Sequence, residues 1–336
     1  MIPTLHGNTV LVTGGAGFIG SSLVRQLLDA GAVVRVVDNL INGKRDNLDD
    51  VAPNERFSLH VVDIRDTAAM KELMEGTDLV FNLATLGVRH SIHSPHENHE
   101  VNATATLHML SAAREMGVAR YIYVSTSEVY GTARTVPMTE NHPTYPMTVY
   151  GASKLAGESY TRAFYETYRY PTIVVRPFNS YGPRSHHEGD SGEVIPKFLL
   201  RCMAGKPLVI FGDGTQTRDF TYVADSARGI LLAGTSDQAV GETINIGSNY
   251  EMTVNELAEK VKLVAGNPDA QVIHDDPRPG DVLRLYADSS KAGELLGFEP
   301  QVSIDEGLQE LKAWYDSQPL SAGDLLESEK VRNWEQ

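Results

Sequence analysis

Three glycines constrain this chain more than any other feature. Gly14, Gly17 and Gly20 stand in the run TGGAGFIG, after the apolar stretch NTVLVTGG and before SSLVRQLLDAG. The first stretch reads as a strand and the last as a helix closed by Gly31. A glycine turn between a strand and a helix lets backbone approach a pyrophosphate closely. The helix start behind it offers free N–H groups and the positive end of a dipole. Further strands are read in AVVRVVDNL, FSLHVVD, DLVFNLA, ARYIYVST and PTIVVRP. Helices are read in TAAMKELMEG, HENHEVNATATLHMLSAAREMG and VYGASKLAGESYTRAFYETY. Strands alternating with helices predict an α/β fold with a doubly wound parallel sheet, the Rossmann arrangement.

The rhythm changes near Ser180, where the loop SYGPRSHHEGDSGEV begins. Residues 1–179 are read as the dinucleotide-binding domain, with the segment 221–250 returning to it through the strand GETINIG. Residues 180–220 and 251–320 are read as a smaller C-terminal substrate-binding lobe, and 321–336 as a loosely held polar tail. No internal repeat or low-complexity tract appears.

Bulk properties exclude several classes. The formal net charge is −15, which argues against a nucleic-acid partner. No apolar run reaches the length of about 18 residues needed to span a membrane. Cys202 is the single cysteine, so an intramolecular disulfide and a thiolate-rich metal site are both excluded. The start MIPTLHGNTVLVTGG lacks the pattern of a secretory signal, and a cytoplasmic location is expected.

Asp38 ends the second strand, eighteen residues after Gly20. A carboxylate there accepts hydrogen bonds from an adenosine ribose and repels a 2′-phosphate, so NAD is expected over NADP. Phe18, Ile19, Asn39, Ile64, Leu83 and Ala84, beside the glycines and the strand ends, are expected to line the same cofactor. Asp63 has two readings: the adenine edge of the site, or the cap of the next turn. Tyr150 and Lys154 lie four residues apart in VYGASKLAGE, on one face of a helix.

Together the runs TGGAGFIG, VVDNL, VVDIRD, VSTSEVYG, YGASKLAGE, RPFNSYGPR and FGDGTQTRDFTYVAD resemble the extended short-chain dehydrogenase/reductases of the nucleotide-sugar epimerase/dehydratase group. The resemblance covers about Leu11 to Phe298. It implies an enzyme that takes NAD and a nucleoside-diphosphate sugar and works through a 4-keto sugar. Tyr150 then matches the base for a sugar hydroxyl, and Lys154 the cation that lowers its pKa and holds the nicotinamide ribose. A free phenol titrates near about 10, so the ammonium and the positive nicotinamide would have to draw Tyr150 downward. Thr126 matches the hydroxyl that relays the proton between Tyr150 and O4.

Glu128, two residues after Thr126, bears on the reaction that follows oxidation. A 4-ketone acidifies the hydrogen on C5, which a carboxylate can remove. Similar Thr-x-Glu triplets occur in 4,6-dehydratases and in nucleotide-sugar decarboxylases. Many dTDP-glucose 4,6-dehydratases carry an Asp as acid for the leaving hydroxyl where this chain has Ser127, while GDP-mannose dehydratases resemble Thr-Ser-Glu. Decarboxylases have a further Arg beyond the Gly-Pro-Arg motif, where this chain has acids. GVRHSI resembles a loop of 4-epimerases, where Arg89 could meet a carboxylate. The expectation is an NDP-hexose 4,6-dehydratase, with an NDP-sugar 4-epimerase as the alternative. A decarboxylase and a non-catalytic NAD-binding protein stand further off.

By the same resemblance, Asn179 contacts the diphosphate or sugar, Pro177 lies against the nicotinamide, and Arg218 and Arg278 hold the diphosphate. A guanidinium suits that task because it presents a planar fork of donors. Asp219 and Asp225 read as structural. His90, His93, His96 and His99 recur every third residue. Pro95 interrupts them, and they read as solvated rather than as metal ligands. No metal is expected. The helices near 98–116 and 149–168 would form a homodimer interface.

Overall fold

Apolar residues on both sides of a strand require helices on both faces of its sheet. The chain meets that demand with seven parallel strands. They are β1 (Thr9–Thr13), β2 (Val33–Val37), β3 (Phe57–His60), β4 (Leu79–Asn82), β5 (Arg120–Val124), β6 (Thr172–Pro177) and the late strand Thr243–Ile246. From one edge the order is β3, β2, β1, β4, β5, β6 and Thr243–Ile246. The computed structural model describes residues 4–189, 191–278 and 281–334. Asp190, the pair Pro279 and Gly280 of the expected turn, and the last two tail residues lie outside them.

Alternation along each strand divides the interior. Val10 and Val12 enter a core with Leu23, Leu27, Ile230 and Leu231, whereas Leu11 between them enters another with Met109, Leu110 and Phe164. The first core lies under the helices Phe18–Asp29 and Val223–Thr235, the second under Ala105–Glu115 and Val149–Tyr168. The strand Thr243–Ile246 pairs in parallel with β6, from Thr243 opposite Val174 to Ile246 opposite Pro177. A separate core of Ile195, Phe198, Leu208, Leu257, Val261, Leu308 and Leu311 forms the smaller lobe. There Leu208–Phe211 pairs in parallel with Val272–Asp275.

The sheet order reverses between β1 and β4, and there the carboxyl ends of strands open a crevice. Thr13 pairs with Val37 on one side and Asn82 on the other. Gly14, Asp38 and Leu83 therefore emerge side by side. β3 is shorter than expected and stops at His60, so Asp63 lies in the following turn.

Two elements differ from expectation. The stretch GVRHSIH folds as the helix Val88–His93, and the path from Pro95 to Glu115 contains a wider π turn at Glu100–Thr104. The expected loose tail is docked. Leu326 is buried, and Glu329 pairs with Arg201 at 2.8 Å. Asn333 donates to the carbonyl of Gly192 at 3.0 Å, and Trp334 meets Phe211 edge-on at 4.6 Å. The polar composition had hidden a few apolar and charged anchors that the lobe satisfies. Among the described residues no helix is long and apolar enough to cross a membrane.

Candidate active site

The glycine turn has the shape that a dinucleotide cradle requires. Gly14 has φ +68°, and a side chain there would meet the amide nitrogen of Ala84 at 2.8 Å. A Cβ on Gly20 would sit 2.1 Å from the carbonyl oxygen of Gly14. Gly17 precedes the helix Phe18–Asp29, whose first turn carries no side-chain cap. Its leading N–H groups are left for a ligand. The turn opens onto a cavity of about 900 Å³, lined also by Phe18, Ile19, Asn39, Ile64, Leu83, Ala84 and Pro177. These residues fit NAD.

Asp38 lies at the crevice, buried, and its carboxylate also fastens the turn. One oxygen accepts from the amide of Ala16 at 3.0 Å and the other from Leu40 at 2.9 Å. Burial pushes its carboxyl up, and the two amides oppose that. Each oxygen keeps a lone pair for a ribose hydroxyl. Asp63 lines the cavity too, and its bonds display the turn cap. It accepts from the Arg65 amide at 2.9 Å and from the Arg65 guanidinium and Asn39, which together hold its carboxyl down at about 2.

Tyr150 opens the helix Val149–Tyr168, which Thr148 caps through the amide of Gly151 at 3.1 Å. Lys154 follows one turn later, fully buried. Its ammonium donates to the carbonyl of Val124 at 2.7 Å and lies 4.4 Å from the ring centre of Tyr123. The expected lowering of the phenol is not what the protein alone produces. Burial pushes Tyr150 up to about 12, against the pull of the Thr126 and Thr85 hydroxyls, and pushes Lys154 down to about 7. Both groups lose hydration, and the ammonium is aimed at the end of β5.

Thr126 caps a short turn, Ser127–Val129, by accepting the Glu128 amide at 3.2 Å. Its hydroxyl keeps its own proton to donate. The turn carries Glu128 into the cavity, where burial raises its carboxyl against the fields of Arg218, Arg278 and Arg89. Arg218 and Arg278 both donate to one oxygen of Asp281. Asn179 donates to the carbonyl of Asp219 at 3.3 Å and lines the same cavity. Arg89 is half-buried, and its Nε has no hydrogen-bond partner.

The remaining acids and histidines have structural surroundings. Asp219 accepts from the amides of Ser248 and Asn249, and Asp225 from those of Gln301 and Val302. His90 bonds Glu97 at 3.0 Å. Among the described residues no group of three or more His, Cys, Asp or Glu side chains is placed to hold a metal ion.

Three members of the site escaped the sequence reading. Thr85 follows β4, held by Asn102 at 3.0 Å, and touches on Tyr150 only through tertiary packing. Asp281 clasps the two arginines from a turn-rich stretch that gave no sign of direction. Glu193 lines the cavity from the N-terminus of the helix Val194–Met203. Its only signal was a carboxylate at a cap position, in a polar loop.

The comparisons decide the family. The profile described as GDP-mannose 4,6 dehydratase matches residues 11–311. The chain belongs to the nucleotide-sugar epimerase/dehydratase family of extended short-chain dehydrogenase/reductases. That family consists of NAD-dependent enzymes, and its two main reactions both occur among the relatives. The chain is 36% identical over 301 residues to the UDP-glucose 4-epimerase of Mycolicibacterium smegmatis, covering 89% of this chain and 95% of the relative. It is 35% identical over 315 residues to the dTDP-glucose 4,6-dehydratase of Actinoplanes sp., covering 91% and 97%. The structure is similar, with a TM-score of 0.86 and 34% identity over 92% of this chain and 97% of the other, to DesIV of Streptomyces venezuelae. DesIV is a dTDP-glucose 4,6-dehydratase solved with NAD and TYD bound.

Proposed function

We propose that this epimerase/dehydratase is an NAD-dependent 4,6-dehydratase of a nucleoside-diphosphate hexose. The observation that carries the reading is Glu128, a carboxylate in the same cavity as Tyr150 and close enough for its charge to raise the phenol. Inverting C4 requires only a hydroxyl base and a hydride carrier. A carboxyl held beside that base has work when a proton leaves carbon.

Gly14, Gly17 and Gly20 would hold the pyrophosphate of NAD, Asp38 its adenosine ribose, and Lys154 its nicotinamide ribose. When bound, NAD would supply the oxidant at C4 and the hydride later needed at C6. Tyr150 takes the O4 proton through Thr126. Arg218, Arg278 and Asn179 hold the diphosphate and sugar, and Arg89, whose Nε has no hydrogen-bond partner, lines the same cavity. Glu128 then removes the proton from C5, next to the new ketone.

A second reading, 4-epimerisation, is favoured by the similarity to the M. smegmatis enzyme and uses Thr126 and Tyr150 alone. Products from UDP-, dTDP- and GDP-hexoses in D₂O with catalytic NAD separate the two. Loss of water with deuterium at C5 is expected. An unchanged mass with inverted C4 and no deuterium would overturn dehydration. Pairing of two copies through the helices near 98–116 and 149–168 belongs to the same reading, and sedimentation of the holoenzyme tests it.

A further inference from the structure

Dehydration needs two proton transfers, one from C5 and one to the departing oxygen of C6. Glu128 answers the first. At the neighbouring position, Ser127 has no acidic proton to give at neutral pH. Of the other carboxyl groups that line the cavity, Asp38 and Asp63 lie at the cofactor turn, Glu188 pairs with Lys44, Asp281 with Arg218 and Arg278, and Glu329 with Arg201, which leaves Glu193. Glu193 stands at the N-cap of the helix Val194–Met203, yet its side chain makes no capping bond. Its backbone is fixed from both sides: its amide donates to the carbonyl of His186 at 2.8 Å, and its carbonyl accepts from the amide of Lys197 at 3.2 Å. Gly192 before it has no room for a side chain, because a Cβ would come within 2.8 Å of the carbonyl of His187. These contacts fix the path of the backbone at Glu193, whose side chain lines the cavity.

Most buried charges in this protein are paired. Glu158 pairs with Arg176, Arg201 with Glu329, and Arg218 and Arg278 with Asp281. Among the described residues, the half-buried Glu193 and Glu128 have neither an ion pair nor a side-chain hydrogen bond, and Arg89 has no ion pair and an unpartnered Nε. Unpaired charges in a cavity are costly to a fold and are kept where a ligand meets them.

We propose, on the dehydratase reading above, that Glu193 is a second catalytic carboxyl group, the acid that protonates the departing C6 hydroxyl. The charged and titratable groups around it are Arg89, Glu188, Tyr150 and Tyr315. Burial and Glu188 push its carboxyl up to about 7, against the pull of Arg89, so the protonated form is abundant at neutral pH. The step balances. The C5–H electron pair first passes into the C4 ketone as an enolate while the proton goes to Glu128, and then returns to form the C5–C6 double bond. The C6–O bond breaks, and its oxygen takes the Glu193 proton and leaves as water. Bound NAD would supply to C6 the hydride it took from C4, and Glu128 returns its proton to C5. The proton that Tyr150 took from O4 replaces the one Glu193 gave.

The test compares Glu193→Gln with the parent holoenzyme on UDP-glucose, UDP-N-acetylglucosamine, dTDP-glucose and GDP-mannose in D₂O. The variant should still oxidise C4, seen as NADH absorbance, and still exchange C5. Water loss should fall about 10²-fold or more. Deuterium should then collect at C5 of the recovered starting sugar, which it does not with the parent. Glu193→Asp should recover part of the rate. An equal fall in oxidation, exchange and water loss would make Glu193 a binding or folding residue and overturn the inference, with dehydration intact. Unchanged water loss would overturn it in the same way. If the parent eliminates water from none of these sugars, the dehydratase reading and this inference fall together.

Discussion

The ammonium of Lys154 donates to the main-chain carbonyl of Val124, 2.7 Å away at the end of β5. The contact holds the lysine in place without supplying a counter-charge. The unfolded chain keeps that lysine protonated to about pH 10, whereas the native protein holds the proton only to about pH 7. Between those limits the unfolded state binds more protons, so this residue's contribution to stability rises with pH. Cofactor-stripped Lys154→Met should be more stable than the parent near pH 6, by about 4 kcal/mol, and should lose that advantage by about pH 10. Urea unfolding across the range measures it. A gap that does not change with pH would show that the ammonium is well solvated.

On the dehydratase proposal, Glu128→Gln should retain C4 oxidation and lose dehydration by about 10²–10⁴-fold. The readout is NADH that accumulates during turnover in place of a dehydrated product. Full dehydration by this variant would remove Glu128 from the chemistry.

Gly20→Ala puts a methyl group 2.1 Å from the carbonyl of Gly14. Backbone has to move to admit it, which costs about 1–3 kcal/mol and deforms the cradle. Calorimetric titration should show NAD affinity reduced by more than the thermal stability alone would suggest. Parent-like affinity would mean that the turn relaxes without cost.

Glu329→Ala should destabilise the protein by about 3 kcal/mol, because it strands the buried guanidinium of Arg201. Their side chains are 6% and 10% exposed, little enough for the loss to be felt. Denaturant midpoints measure it, and Glu329→Ala with Arg201→Met should recover much of the loss. An unaffected midpoint in the single variant would return this segment to the status of a loose tail.

The sheet was legible because its information is local. The period of the strands, the glycines after β1 and the acid after β2 each act within a few residues. Tyr150 and Lys154 were legible for the same reason, since four residues on one helix fix their common face. What the sequence concealed depends on distant partners. The protonation of Lys154 follows from burial among β5 and Tyr123. Asp281 has meaning only beside Arg218, 63 residues earlier. Glu193 reads as one acid in a polar loop until the lobe folds over the crevice. The C-terminal segment looked loose because Glu329 and Trp334 find Arg201 and Phe211 only in three dimensions.

The clasp of Arg218 and Arg278 on Asp281 also bears on how a substrate arrives. Two guanidiniums share the Asp281 carboxylate, and their positive field also falls on Glu128, inside a chain whose net charge is −15. A sugar nucleotide, itself an anion, is repelled by the outer surface and attracted only within the mouth of the cavity. Salt shortens the reach of both fields to about 10 Å at 0.1 M, and the long-range repulsion is the one it removes first. Capture should therefore quicken as salt is first added and slow once the screening reaches the arginines themselves.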